Sequence, residues 1–129
     1  MDKPTLVEAD MEAGKVLLRD LDEKNFDVEA ALWFYMSDSE EWRLILASTT
    51  VDSKGPKVAY EIIQSHLKEL EQKNYQLSLQ NISVVSPNDN LIKLLKKVAR
   101  VAPGASPMRF RRNTIDSVFV EDAYIYRMQ

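Results

Sequence analysis

Val28-Glu29-Ala30-Ala31-Leu32-Trp33-Phe34-Tyr35-Met36, then the polar run Ser37-Asp38-Ser39-Glu40-Glu41, then Trp42-Arg43-Leu44-Ile45-Leu46-Ala47, decides the architecture of this chain. Over residues 26–36, Val28, Ala30, Leu32, Phe34 and Met36 line one side of an extended segment, and Ala31, Trp33 and Tyr35 line the other. A period of two with apolar residues on both sides predicts a strand covered on both faces. The polar run is a turn, and a second strand is expected over 42–51. Two such runs joined by a short polar connection predict an antiparallel hairpin.

Downstream, Gly55-Pro56 opens a helix reaching about residue 74, with Pro56 in the first turn, where its missing amide costs nothing. Val58, Ala59, Ile62, Ile63, Leu67 and Leu70 form its expected buried stripe. A third strand follows over 79–85. Ser86-Pro87-Asn88-Asp89 then reads as a helix start, with Ser86 as the cap and an acid three positions on. That helix is expected to run to about 101, with Leu91, Leu94, Leu95, Val98 and Ala102 facing inward. Pro103-Gly104-Ala105-Ser106-Pro107 is a loop. Residues 108–114 and 118–128 form a second hairpin, turning at Ile115-Asp116-Ser117.

Upstream, residues 5–25 read as a helix. Thr5 and Glu8 have capping-box spacing, and Leu6, Ala13, Leu17 and Leu21 share its apolar face. The order is α-β-β-α-β-α-β-β. The strand–helix–strand passages through the second and third helices predict right-handed parallel crossovers. The fold class is α+β: a mixed five-stranded sheet with three helices in a single domain over 1–129, in two or three layers.

Composition narrows the function classes. The chain has 129 residues, 45% hydrophobic and 29% charged, within the range of ordinary globular proteins. It contains no cysteine, which excludes disulfides, thiolate metal sites and cysteine nucleophiles and agrees with a reducing, cytoplasmic location. No apolar run approaches the ~18 residues of a membrane span, so no membrane association is expected. The opening Met1-Asp2-Lys3-Pro4 is polar, from which no secretory leader is expected.

Charge is segregated along the chain. Residues 1–92 carry 9 Lys/Arg against 17 Asp/Glu, whereas residues 93–129 carry 8 against 3. Lys93, Lys96, Lys97 and Arg100 are spaced i, i+3, i+4, i+7 and would emerge from one helical face. The same pattern also serves a solvated face tuned to the helix dipole. Arg109 and Arg111 share one side of a strand, with Met108, Phe110 and Arg112 on the other. Packed beside the helix, these cations would make a surface for phosphates or for an acidic protein. Phe110, Phe119, Tyr124 and Tyr126 lie close enough in sequence to stack on bases, or simply to pack. The binding reading therefore takes Lys93, Lys96, Lys97, Arg100, Arg109, Arg111 and Arg112 as the contact residues. Its partner is nucleic acid or an acidic protein surface.

Catalytic signals are weaker. The opening α-β-β and α-β order is similar to the core of the PD-(D/E)xK nucleases, and Asp52-Ser53-Lys54 supplies a D-x-K tripeptide after the second strand. In that alternative reading Asp52 and Lys54 belong to a metal-dependent phosphodiester hydrolase, with Asp38, Glu40 or Glu41 as upstream acids. Those acids sit in a turn, and Asp22-Glu23-Lys24 fits the tripeptide equally well. Glu121-Asp122 interrupts the final strand and reads as a structural partner of Arg109 or Arg112 across the hairpin. His66 sits at the border of a buried stripe. With no second histidine, no transition-metal site is expected, and with glycine only at 14, 55 and 104 there is no nucleotide loop. No cofactor is expected.

Phe26-x-Val28-x-Ala30-Ala31-Leu32-Trp33-x-Tyr35, Glu41-Trp42-Arg43-Leu44 and the ending Phe119-Val120-Glu121-Asp122-Ala123-Tyr124-Ile125-Tyr126-Arg127 resemble a group of short uncharacterised bacterial proteins. The resemblance runs along most of the chain and implies a free-standing bacterial domain. It brings no activity and no functional residue. A third reading is a homodimer formed through an exposed hairpin edge or the first helix, with Trp33, Trp42, Tyr124 and Tyr126 as interface aromatics.

Overall fold

β1 (Ala30–Met36) pairs on one side with β2 (Glu41–Ala47) and on the other with β5 (Val118–Met128), both antiparallel. β3 (Ile82–Val85) adds in parallel to β2, and β4 (Met108–Ile115) adds antiparallel to β5. The sheet order is β3-β2-β1-β5-β4, a mixed five-stranded sheet of the α+β class. The structure, a computed structural model, describes residues 4–129. Residues 1–3, on which the leader expectation partly rests, lie outside the described residues.

Both faces of the sheet are covered, as the apolar alternation of β1 requires. Ala31 and Trp33, with Leu44 and Leu46 of β2, pack under α1 (Glu8–Glu23) and α3 (Pro56–Gln72), whose Leu17, Leu21, Ala59, Ile63 and Leu70 complete that core. Ala30 and Leu32, with Ile45, Ala123 and Ile125, pack against Ile92 and Leu95 of α4 (Asn90–Lys96). Burial of each such Leu or Ile stabilises the fold by roughly 1.5–3 kcal/mol, so neither layer is dispensable. The result is three layers, with two long helices on the α1 side and one short helix on the α4 side.

Several expected boundaries move. The Thr5–Glu8 capping box does not form: α1 begins at Glu8 after an extended Val7 with no side-chain cap. Leu6 is drawn into the core, and the Pro4 carbonyl accepts a 2.8 Å hydrogen bond from Trp42 Nε1, which holds this segment off the helix. β2 ends at Ala47, and residues expected to continue it form a one-turn helix, α2 (Thr50–Lys54). Ser86 is not the cap of α4 either; Asp89 is, accepting from the Leu91 amide at 3.0 Å. The β2–α3–β3 passage is the expected parallel crossover. The passage through α4 is not, because the chain crosses beneath the whole sheet and β4 runs antiparallel to β3 at the opposite edge.

Asp27 explains why β2 stops. Its carboxylate accepts hydrogen bonds from the Thr49 amide (3.0 Å) and hydroxyl (2.6 Å), and from the hydroxyls of Ser48 (3.3 Å) and Thr50 (3.4 Å). It thereby takes the Thr49 amide at the start of α2 from outside the helix, while the Ser48 hydroxyl accepts from the Thr50 amide at 3.1 Å. Burial alone would raise this carboxyl, but the bonds from Thr49, Ser48 and Thr50 outweigh it and hold Asp27 below its ordinary 3.8. A depressed carboxyl contributes stability that is complete above the ordinary value and lost as pH falls through the folded one. Urea unfolding followed from neutral pH down through 3.8 should therefore show a shallower acid limb in Asp27→Asn than in the wild type; identical limbs would show that this carboxylate is not responsible.

The second hairpin closes as its sequence specifies. Asp116 and Ser117 both have positive φ (47° and 70°), the two-residue turn whose twist matches paired strands. Only residues 123–128 of β5 pair with β1; residues 118–122 pair with β4 alone. The hairpin tip thus extends past the end of its neighbour.

Candidate functional site

α4 is too short to carry the expected basic stripe. After Lys96 the chain turns inward, burying Ala99 and Val101, and Val101 exchanges backbone hydrogen bonds with Met128 at 3.0 and 3.1 Å. Lys93 and Lys96 are helical, Lys97 is the C-cap, and Arg100 lies beyond. Leu95 is buried as expected and Leu91 and Leu94 pack partly buried against the same core, but Ile92 joins it fully while Val98 and Ala102 are exposed. Lys97 forms an ion pair with Asp116 in the hairpin turn, and Lys96 lies 4.0 Å from Glu29. Lys93 and Arg100 are exposed and form no ion pair with another residue among the described ones.

The arginine strand points elsewhere. Met108 and Phe110 face the α4 side, so strand alternation sends Arg109 to the α1 side. There its guanidinium lies 5.6 Å from the Trp42 ring centre and 6.0 Å from that of Tyr124. It also grips Asp122 with two hydrogen bonds, Nε to Oδ1 at 2.7 Å and Nη2 to Oδ2 at 2.9 Å. Arg111, directly across the ladder from Asp122, approaches the same carboxylate at 3.6 Å. Asp122 is 0% exposed, Arg109 30% and Arg111 61% at the side chain. Hydrogen bonding to Asp122 is the main cause that raises the Arg109 guanidinium above its ordinary value. The expected pairing of Asp122 with Arg109 is therefore present, as a forked pair whose carboxylate is buried and whose guanidinium is partly exposed.

Val120 and Ala123 both reach the α4-side core, although three positions of strict alternation would separate their faces. The pleat changes phase at Arg112, which has φ +46° and takes no part in the ladder. With Val120 inward, Phe119 turns to the α1 side, where it is 54% exposed. The seven cations therefore do not form one surface. Lys93, Lys96 and Lys97 belong to the α4 side and Arg109 and Arg111 to the α1 side, because the helix and the arginine faces pack on opposite sides of the sheet. What the fold does bring together is Arg109 with Trp42, Tyr124 and Asp122, and Arg111 at the same carboxylate, while Phe119 is exposed on that side farther along β5.

No protein-family model, no curated protein and no solved structure matches this chain at a significant level.

The hydrolase residues are dispersed. Asp52 lies in α2, accepting a 3.0 Å hydrogen bond from the Ser86 hydroxyl, and Lys54 ends the same helix. Asp38, Glu40 and Glu41 sit at the far end of β2, whose seven residues span roughly 20 Å. Among the described residues no group of three or more His, Asp or Glu side chains is placed to share a metal ion. His66 is buried on α3, with Nδ1 3.9 Å from the Glu69 carboxylate and no hydrogen-bond partner.

One feature carries no motif. A groove of about 780 Å³ runs between α1 and the loop 104–107, floored by Tyr124 and Tyr126. Opposite Ala31, β5 carries an extra residue, so Tyr126 and Arg127 both turn to the α1 side. Tyr126 donates from its hydroxyl to the Met11 carbonyl at 2.6 Å and accepts from Trp33 Nε1 at 2.9 Å. Burial is the main cause that pushes this phenol well above its ordinary range. The only hint in the sequence is the close pair of tyrosines at 124 and 126, which strict alternation does distinguish from a core-only strand.

Proposed function

We propose that this chain is a cytoplasmic accessory domain that binds an acidic segment of a protein partner through the α1 side of the β4–β5 hairpin. The observation that carries the reading is the placement of Arg109 beside Trp42 and Tyr124 with Arg111 at the same Asp122 carboxylate, and with Phe119 exposed on that side of the hairpin. Arginine and aromatic side chains around a desolvated centre are what protein interfaces concentrate. Arg111 keeps most of its guanidinium in solvent while Asp122 fixes its neighbour, so a partner carboxylate meets a positioned fork without displacing the internal pair.

The cation supply favours protein over nucleic acid. Phosphate tracking needs several uncommitted Lys or Arg in a row, whereas here Asp122 engages Arg109 and Arg111, and Asp116 engages Lys97. Glu121 and Asp116 would also meet phosphates with their own sign. Self-association along the β4 edge is disfavoured for a related reason. β4 carries Arg109, Arg111 and Arg112 and no acid, so two copies paired there bring like charges together. Light scattering should return the mass of one chain across concentrations; a dimer lost in Phe119→Ser would instead favour the homodimer.

The test compares a glutamate-rich peptide with a single-stranded oligonucleotide at low ionic strength. The peptide should bind, quench Trp42 fluorescence, and be released as salt shortens the reach of surface charge. Arg111→Glu with Arg112→Glu should abolish that binding. Unchanged affinity in the double variant would refute this surface, and tighter retention of the oligonucleotide would replace the acidic partner with nucleic acid.

A further inference from the structure

The groove between α1 and the loop 104–107 adjoins the arginine face, sharing Tyr124 with it, and its walls are held from within. Tyr126 is fixed by Trp33 and the Met11 carbonyl. Arg127, 5% exposed, holds both carboxylate oxygens of Asp22 (2.9 and 2.6 Å) and the Val28 carbonyl (3.0 Å), while its Nε is buried without a partner. These contacts close the end of the groove near the C-terminus of α1. Two consecutive side chains aimed at one slot by a bulge are a device that re-aims strand residues beside binding sites.

Charge along the α1 wall is sorted. Glu8, Glu12, Lys15 and Arg19 follow the i, i+4, i+7, i+11 spacing of one helical face and all line the groove. All four are exposed, and none forms an ion pair with another of the described residues. Below them lie Met11, Leu18, Tyr124 and Tyr126. The slot therefore has an apolar floor, an acidic end and a basic end. The midpoints of the two charged pairs are seven residues apart, about 10 Å along a helix, which about three extended residues span.

We propose that this groove binds an extended segment of a partner protein, three to four residues long, with apolar residues in the middle. A cationic side chain of that segment meets Glu8 and Glu12, and an anionic one meets Lys15 and Arg19. The charge order selects such a segment, because a segment with the same sign at both ends leaves one pair facing its own sign. The site shares Tyr124 with the hairpin surface but none of that surface's charged side chains.

Blocked tetrapeptides test this directly, since their only charges are side chains: acetyl-Lys-Leu-Phe-Glu-amide against acetyl-Glu-Leu-Phe-Glu-amide, titrated into the full chain and followed by backbone NMR shifts. The mixed peptide should shift resonances of α1 and of residues 104–107, and bind about ten-fold more tightly than the doubly acidic one. In Glu8→Lys with Glu12→Lys, both exposed substitutions, the preference should invert. Arg111→Glu with Arg112→Glu should leave the mixed peptide's affinity unchanged, which separates this groove from the hairpin reading. Absence of shifts in the groove, or a ranking that survives the charge reversal on α1, would overturn the proposal.

Discussion

Arg109→Ala is expected to be among the most destabilising substitutions in the molecule, by about 3–5 kcal/mol, because it removes two charge-assisted hydrogen bonds from a carboxylate that water does not reach. Asp122 is fully buried and accepts two hydrogen bonds from Arg109; Arg111, at 3.6 Å and largely solvated, replaces them poorly. Removing the other partner should cost less. In Asp122→Ala both guanidinium groups are partly exposed and can return to water. Replacing both partners by apolar residues, Arg109→Met with Asp122→Leu, should recover much of the loss, since a well-packed apolar pair often matches a buried ion pair. Urea unfolding of the three variants gives the ordering. If Asp122→Ala proves the most damaging, the fork stabilises the fold by some route other than carboxylate desolvation.

Gly14→Ala is the second large effect, and its sign opposes helix propensity. In an exposed helix the change would stabilise by about 1 kcal/mol. Here the added methyl would lie 2.3 Å from the Tyr126 hydroxyl, 2.9 Å from its ring carbon and 3.1 Å from Trp33 Nε1. The hydroxyl cannot swing away without giving up its bonds to Met11 and Trp33, so α1 must lift. Overpacking of this kind typically costs about 1–3 kcal/mol, and here it would also deform the groove floor. Tyr126→Phe removes the nearest atom but not the ring carbon. It should therefore ease the defect in Gly14→Ala only partly, in a double-mutant cycle read by thermal unfolding. A Gly14→Ala variant more stable than the wild type would show that α1 does not pack this closely.

How far the sequence could be read follows from the range of each signal. Asp116-Ser117, the apolar period of β1 and Pro56 at the start of α3 are local instructions, and the elements they imply are present. The failures share a cause, which is that distant contacts override local preference. Thr5 and Ser86 have the chemistry of caps, yet Trp42 holds one segment extended and Asp89 caps the other helix. The basic stripe ended at Lys97 because Val101 found Met128, a partner no helical periodicity can foresee. Which side of the sheet the arginines take depends on strand order and on the pleat change at Arg112, and neither is written in spacing. The groove was illegible for the same reason, since its two walls lie more than eighty residues apart in the chain.

The sheet order has a consequence for synthesis. β5 lies between β1 and β4, so the edge of β1 stays open until residues 118–128 have been made. The first hairpin and the two long helices are therefore made before the strand that completes the sheet. Native pairing across about ninety residues of sequence separation makes for slow closure. A nascent chain of this kind is a natural client for holding chaperones until its last strand emerges.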